Sequence, residues 1–152
     1  MRALVMTGVL ALVASAAAAQ GVAQSLELSR EAVNTQKRAI VAGSLPLTDE
    51  QADAFWPLFD KLQADLKKLD DRSDALIATY SAEYATLNDA HARALLDESL
   101  LINEDRAKLM RKWAKRMDKA LPPRLLVRYF QLENKFHAIV AADLAHQIPL
   151  VP

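Results

Sequence analysis

The chain has 152 residues, 19 basic and 19 acidic, and 52% of them are hydrophobic. That is one domain's length with a core to bury, and a formal net charge of zero gives no gross attraction to nucleic acid. With no cysteine, the chain has neither a disulfide framework nor a thiol nucleophile, so the fold must rest on packing.

The chain opens with Arg2, an apolar run from Leu4 to Ala14, and small residues at Ala17 and Ala19. This pattern reads as a secretory signal with an Ala-x-Ala exit after Ala19, and Ala23 offers a second exit. The apolar run is shorter than the roughly 20 residues that a membrane span needs. Residues 1–23 are therefore assigned to the signal and 24–152 to one all-helical domain. Beyond the signal only Arg2 is lost from the charge count, leaving 18 basic residues against 19 acidic.

Past the signal Gly43 is the only glycine, and Ala, Leu, Lys, Arg, Glu and Asp dominate. Such a composition favours helix throughout. A first helix is expected from about Leu26 to Ala42, with Leu26, Val33, Ile40 and Val41 on one side. Gly43 and Pro46 then end it. Thr48 is placed to cap the next helix: its hydroxyl accepts from the amide of Gln51, whose side chain reaches back. Asp49, Glu50 and Asp53 put negative charge in the first turn, where the helix dipole favours it.

Phe55, Phe59, Leu62, Leu66, Leu69, Ser73, Leu76, Tyr80, Tyr84 and Leu87 then follow at alternating steps of four and three. That spacing makes a narrow coiled-coil-like seam on a helix running to about Ala85. Pro57 lies inside this helix and removes one backbone hydrogen bond, so a kink is expected there. Asn88 can cap a third helix running to about Leu121, with Leu95, Ser99, Ile102, Arg106, Leu109, Trp113 and Met117 along its seam. The connection of three or four residues forces an antiparallel hairpin. Pro122-Pro123 stops the third helix and starts the last, which carries Leu126, Tyr129, Phe130, Leu132, Phe136, Ile139, Val140 and Leu144. The apolar tail from Ile148 to Pro152 is expected to lie pinned against the body.

Between Arg106 and Arg128 there are nine basic residues and a single acidic one, Asp118. Arg111, Lys112, Lys115, Arg116 and Lys119 recur at helical spacing and form a basic face. Pairing with Asp49, Glu50, Asp53 and Asp60 across the hairpin accounts for part of this excess. The remainder suits unfolded acidic proteins, anionic lipid or another polyanion. Glu133 and His137 are the one Glu/His pair at metal-ligand spacing, a weak candidate site. No glycine-rich phosphate loop, H-E-x-x-H or G-x-S-x-G motif occurs, so neither an enzyme nor a cofactor is expected.

Leu47-Thr48-Asp49-Glu50-Gln51 at the head of a long helix, following a signal peptide, resembles the L-T-x-x-Q motif of the Spy/CpxP family of periplasmic stress proteins. The second copy of that motif falls at Leu87–His91, where His91 replaces the glutamine. The segments Phe55-Trp56-Pro57-Leu58, Leu121-Pro122-Pro123 to Asn134-Lys135, and Ile148-Pro149-Leu150-Val151 look like a group of exported bacterial helical proteins with the same layout. The resemblance implies a periplasmic, curved helical homodimer without cofactor. Such a protein holds unfolded or envelope proteins on a basic and apolar surface as an ATP-independent chaperone or stress adaptor. The family also includes metal-responsive regulators that act on a membrane sensor. Leu47, Thr48, Gln51 and Asn88 would serve as motif and capping residues, and the basic face as the client surface.

Overall fold

A computed structural model describes residues 35–151. The expected signal, and the start of the first helix with Leu26 and Val33, lie outside the described residues. The described chain is all-α and contains no strand. Helix α1 covers residues 35–44, α2 is Asp49–Glu83, α3 is Asp89–Met117 and α4 is Pro123–Gln147.

α2 and α3 form the antiparallel hairpin and make the closest backbone approach in the molecule. α4 begins beside the end of α3 and runs back along the hairpin. Its trailing residues Pro149 and Leu150 are reached by Tyr80 and Tyr84, next to the hairpin turn. α1 runs antiparallel to α2 and fits against α2 and α4 at the open end of the hairpin.

The helix ends follow from local chemistry. The Thr48 hydroxyl accepts from the Gln51 amide at 3.3 Å, and the Gln51 side chain accepts from the Thr48 amide at 3.1 Å, closing both halves of the capping box. The Asn88 side chain accepts from the His91 amide. His91 does not return the bond; its Nδ1 stands 3.0 Å from Glu83 across the turn. α2 ends at Glu83, two residues short of the expected end, because Tyr84–Thr86 tighten into a 3₁₀ turn. The α-helix runs through Pro57 unbroken. α3 stops at Met117 and not at Leu121; the amides of Ala120 and Leu121 both turn back to the Met117 carbonyl. Pro123 is the first residue of α4, where its missing N–H costs nothing.

α1 departs from its expected face. Gly43 lies inside the helix, which runs to residue 44, and has no positive φ. Val41 is fully buried while Ile40 is 41% exposed, so the inward side passes through Lys37 and Val41.

The core sits at the open end of the hairpin. Phe55, Phe59, Leu62 and Leu66 of α2 meet Trp113 and Met117 of α3 and Tyr129 and Phe136 of α4, with Val41, Leu45 and Leu121 closing the end. Phe55 meets the Tyr129 ring edge-on at 5.0 Å and the Trp56 ring at the same distance, geometries that add to simple burial. The two-helix seam is thus sealed by α1 and α4 over this half. Farther along, Leu69, Leu76, Leu95 and Ser99 are only partly covered. Replacing Phe55 with alanine should cost about 3–5 kcal/mol, read as a shift in the urea midpoint at unchanged slope. A loss below 1 kcal/mol would mean that this aromatic cluster does not hold the helices together.

Candidate functional site

The five basic residues singled out in α3 and just beyond it divide into two sets. Lys112 approaches Asp65 of α2 at 3.9 Å. The guanidinium of Arg116 lies 4.8 Å from the ring centre of Trp113, covering that buried indole. Arg111, Lys115 and Lys119 are exposed and make no ion pair among the described residues, and the same holds for Arg124 and Arg128 at the start of α4.

Of the expected partners across the hairpin, Asp60 pairs with Arg38 of α1 instead, while Asp49, Glu50 and Asp53 are exposed at the start of α2 and make no ion pair with α3 among the described residues. Besides the long Lys112–Asp65 contact, the charge pairs that cross the hairpin run in the opposite sense. Arg72 of α2 binds Glu98 at 3.0 Å and Asp105 at 2.8 Å, both on α3. The basic excess near the end of α3 is therefore left facing solvent. Asp65 is the one acid among these that serves the core, accepting from Trp113 Nε1 at 3.1 Å. The hydrogen bond from Lys68, seconded by that from Trp113, holds its carboxyl below the usual carboxylate range.

These residues belong to a longer exposed stripe. Leu96, Leu100, Glu104, Ala107, Arg111 and Lys115 follow at steps of four, four, three, four and four, so they share one face of α3, and all six are exposed. Glu98 and Asp105 point to Arg72, and Ile102 is buried, so the stripe lies on the side of α3 away from α2. Leu96 and Leu100 are 50% and 57% exposed, with the cations about 20 Å farther along at 1.5 Å per residue. The sequence pattern gave the inward seam of α3 but not this outward leucine pair, whose signal was the i, i+4 spacing on the opposite side.

A second constellation is buried. Glu133 of α4 is 1% exposed and Lys37 of α1 is 7% exposed. Glu133 Oε1 accepts from Tyr129 Oη at 2.8 Å and from Gln63 Nε2 at 2.8 Å. Oε2 lies 2.7 Å from Lys37 Nζ, within full electrostatic reach although the ammonium is angled off the lone pair. Lys37 in turn donates to Gln63 Oε1 at 2.7 Å. Four residues from three helices thus gather around one buried charge, with Glu133 Oε2 held by its ion pair to Lys37 alone. Glu133 is occupied in this way and His137 is exposed, so the two do not stand as a free ligand pair. No group of three or more His, Cys, Asp or Glu side chains converges among the described residues. The sequence hint for this network was a carboxylate placed between Tyr129 and Phe136 on the apolar face of α4.

The network closes one end of a groove of about 770 Å³ between α2 and α4, which continues past Asp70 and Asp74 on one wall and Val140 and Leu144 on the other. No described helix is long and apolar enough to cross a membrane. Searches against protein-family models, curated proteins and solved structures find no match to the chain.

Two outcomes follow from the buried network. Lys37→Met leaves Glu133 uncompensated and should destabilise the fold by about 3–5 kcal/mol; adding Glu133→Leu should recover most of that loss, as denaturant titration of the single and double variants would show. Burial, helped by the Glu133 carboxylate, holds the Tyr129 phenol above its ordinary value of 10.0. A raised folded pKa gives stability that is complete below the unfolded pKa and is lost as pH rises beyond it. Stability should therefore fall above pH 10, less steeply in Tyr129→Phe, and identical alkaline profiles for the two proteins would contradict this.

Proposed function

We propose that the protein is an exported, non-enzymatic binding protein that holds unfolded or partly folded envelope proteins without nucleotide or cofactor, as a periplasmic chaperone or stress adaptor. The observation that carries this reading is the outward stripe of α3, apolar at Leu96 and Leu100 and cationic at Arg111 and Lys115. A surface of that kind suits chain segments in which exposed apolar residues alternate with acidic ones. The cations steer such segments at long range, and the leucines hold them by burial. Because Arg111 and Lys115 are exposed and make no ion pair among the described residues, their field is directed outward.

Release needs no chemistry on this model. A client that folds withdraws its apolar residues, and the residual attraction of a few exposed charges is weak and screened by salt. The capping residues Thr48, Gln51 and Asn88 act only by fixing the ends of the two long helices.

The test is suppression of aggregation of a thermally unfolded acidic protein, followed by light scattering at near-stoichiometric ratios. Arg111→Glu with Lys115→Glu should reduce suppression by tenfold or more in the concentration needed, with helicity unchanged. Leu96→Ser with Leu100→Ser should do the same but lose its effect less with added salt. If both double variants protect as well as the unaltered protein, the stripe is not a client surface.

A further inference from the structure

The outward side of α4 carries charge that the fold does not use. Arg124, Arg128, Gln131, Lys135 and Ile139 follow at steps of four, three, four and four, so they share one face of the helix, and all five are exposed. That face is turned away from Tyr129, Glu133 and Phe136, the residues that α4 buries.

Between Pro123 and Ala142 the one acidic residue is Glu133, and it is buried against Lys37. The exposed surface of this stretch therefore holds Arg124, Arg128 and Lys135 and no carboxylate. None of the three makes an ion pair among the described residues. Other exposed cations come with an acid four residues away: Lys67 pairs with Asp71, Arg93 with Asp97 and Lys108 with Glu104.

Helix stability does not account for the difference. The first turn of α4 has no acidic residue and no side-chain cap. Arg124 stands in that turn, at the end where the helix dipole disfavours a cation. The dipole adds its own partial positive charge to the same end.

We propose that this face of α4, with the exposed Lys119 just ahead of it, is a docking surface for an anionic phospholipid bilayer. The outer side of a single helix is a convex ridge. It suits a plane of headgroups better than a peptide, which needs a sheet edge or a groove. Guanidinium groups match phosphate oxygens in pairs. Val127 and Ile139 are 58% and 59% exposed, placed to enter the headgroup layer while the cations meet phosphate. The opposite side of α4 is committed to the core, so the helix lies on the bilayer and does not enter it. Two exposed aliphatic residues are too few for a lasting anchor, and the attachment is reversible and screened by salt. The client stripe on α3 uses Arg111 and Lys115 and none of these residues, so the two readings fail separately.

Cosedimentation of the purified protein with vesicles tests this. Vesicles of phosphatidylglycerol and phosphatidylcholine in equal parts should bind it at millimolar lipid and low salt, and pure phosphatidylcholine should not. Binding should weaken steeply between about 0.01 M and about 0.15 M salt. Arg124→Glu with Arg128→Glu should weaken it roughly tenfold or more with helicity unchanged, whereas Arg124→Lys with Arg128→Lys should keep at least half. Leu96→Ser with Leu100→Ser, aimed at the client stripe, should bind vesicles as the unaltered protein does; a loss there would assign the lipid contact to α3 and overturn the proposal. Equal binding to both kinds of vesicle, binding to neither, or full binding by the glutamate variant would overturn it as well. So would capture of polyglutamate through Arg124 and Arg128 without capture of vesicles, which would assign an acidic polypeptide to this face.

Discussion

A carboxylate that is 1% exposed has only a few ways to persist in a protein interior, and Glu133 uses nearly all of them at once. It has an ammonium at 2.7 Å, a phenol and an amide on its other oxygen, and a glutamine that turns its carbonyl to the same ammonium. Isolated burial of one charge costs several kcal/mol, so the arrangement is all-or-none: α1, α2 and α4 must be in register together. The aromatic cluster of Phe55, Phe59 and Tyr129 gives the adhesion, but rings slide on one another more readily than four interlocked polar groups do. The network therefore selects a single packing from those the apolar residues alone would accept.

That selection settles the role of α1. A two-helix hairpin with a narrow apolar seam leaves most of the seam exposed, and the seam must find cover from elsewhere. Here the cover comes from within the chain over the half nearest the open end. The surface left over is the outward side of α3, turned away from α2 by Arg72, which binds two carboxylates of α3 on the inward side. One arginine thereby fixes both which side of α3 faces its neighbour and which side is left to solvent.

The all-helical class, the hairpin, the capping box at Thr48 and Gln51 and the start of α4 at Pro123 were all legible because each is encoded locally, by spacing or by backbone chemistry. The places where reading the sequence failed are those where distant residues decide. Ile40 and Val41 were both expected on the inward side of α1 by hydropathy; Val41 is buried there, but Lys37 takes the place of Ile40 because Glu133, nearly a hundred residues later, supplies its counter-charge. Charge pairing across the hairpin was anticipated from gross composition at the two ends. The actual pairs depend on rotational phase, which placed Arg72 against Glu98 and Asp105 and drew Asp60 to α1. Of the basic face, Arg116 proved to be a lid on Trp113, a role that i, i+3 spacing hints at but cannot assign.

The tail was expected to be held by its apolar side chains, and it is held otherwise. Leu150 is 89% exposed; what anchors the segment is the hydroxyl of Tyr80 on the carbonyl of Pro149 at 2.8 Å and that of Tyr84 on the carbonyl of Leu150 at 3.0 Å. A tie to the main chain is indifferent to what hangs from it. Evolution is then free to rewrite the letters of that terminus, but not to lengthen or shorten the stretch between the end of α4 and the two phenols, since an inserted or deleted residue would carry both carbonyls out of reach.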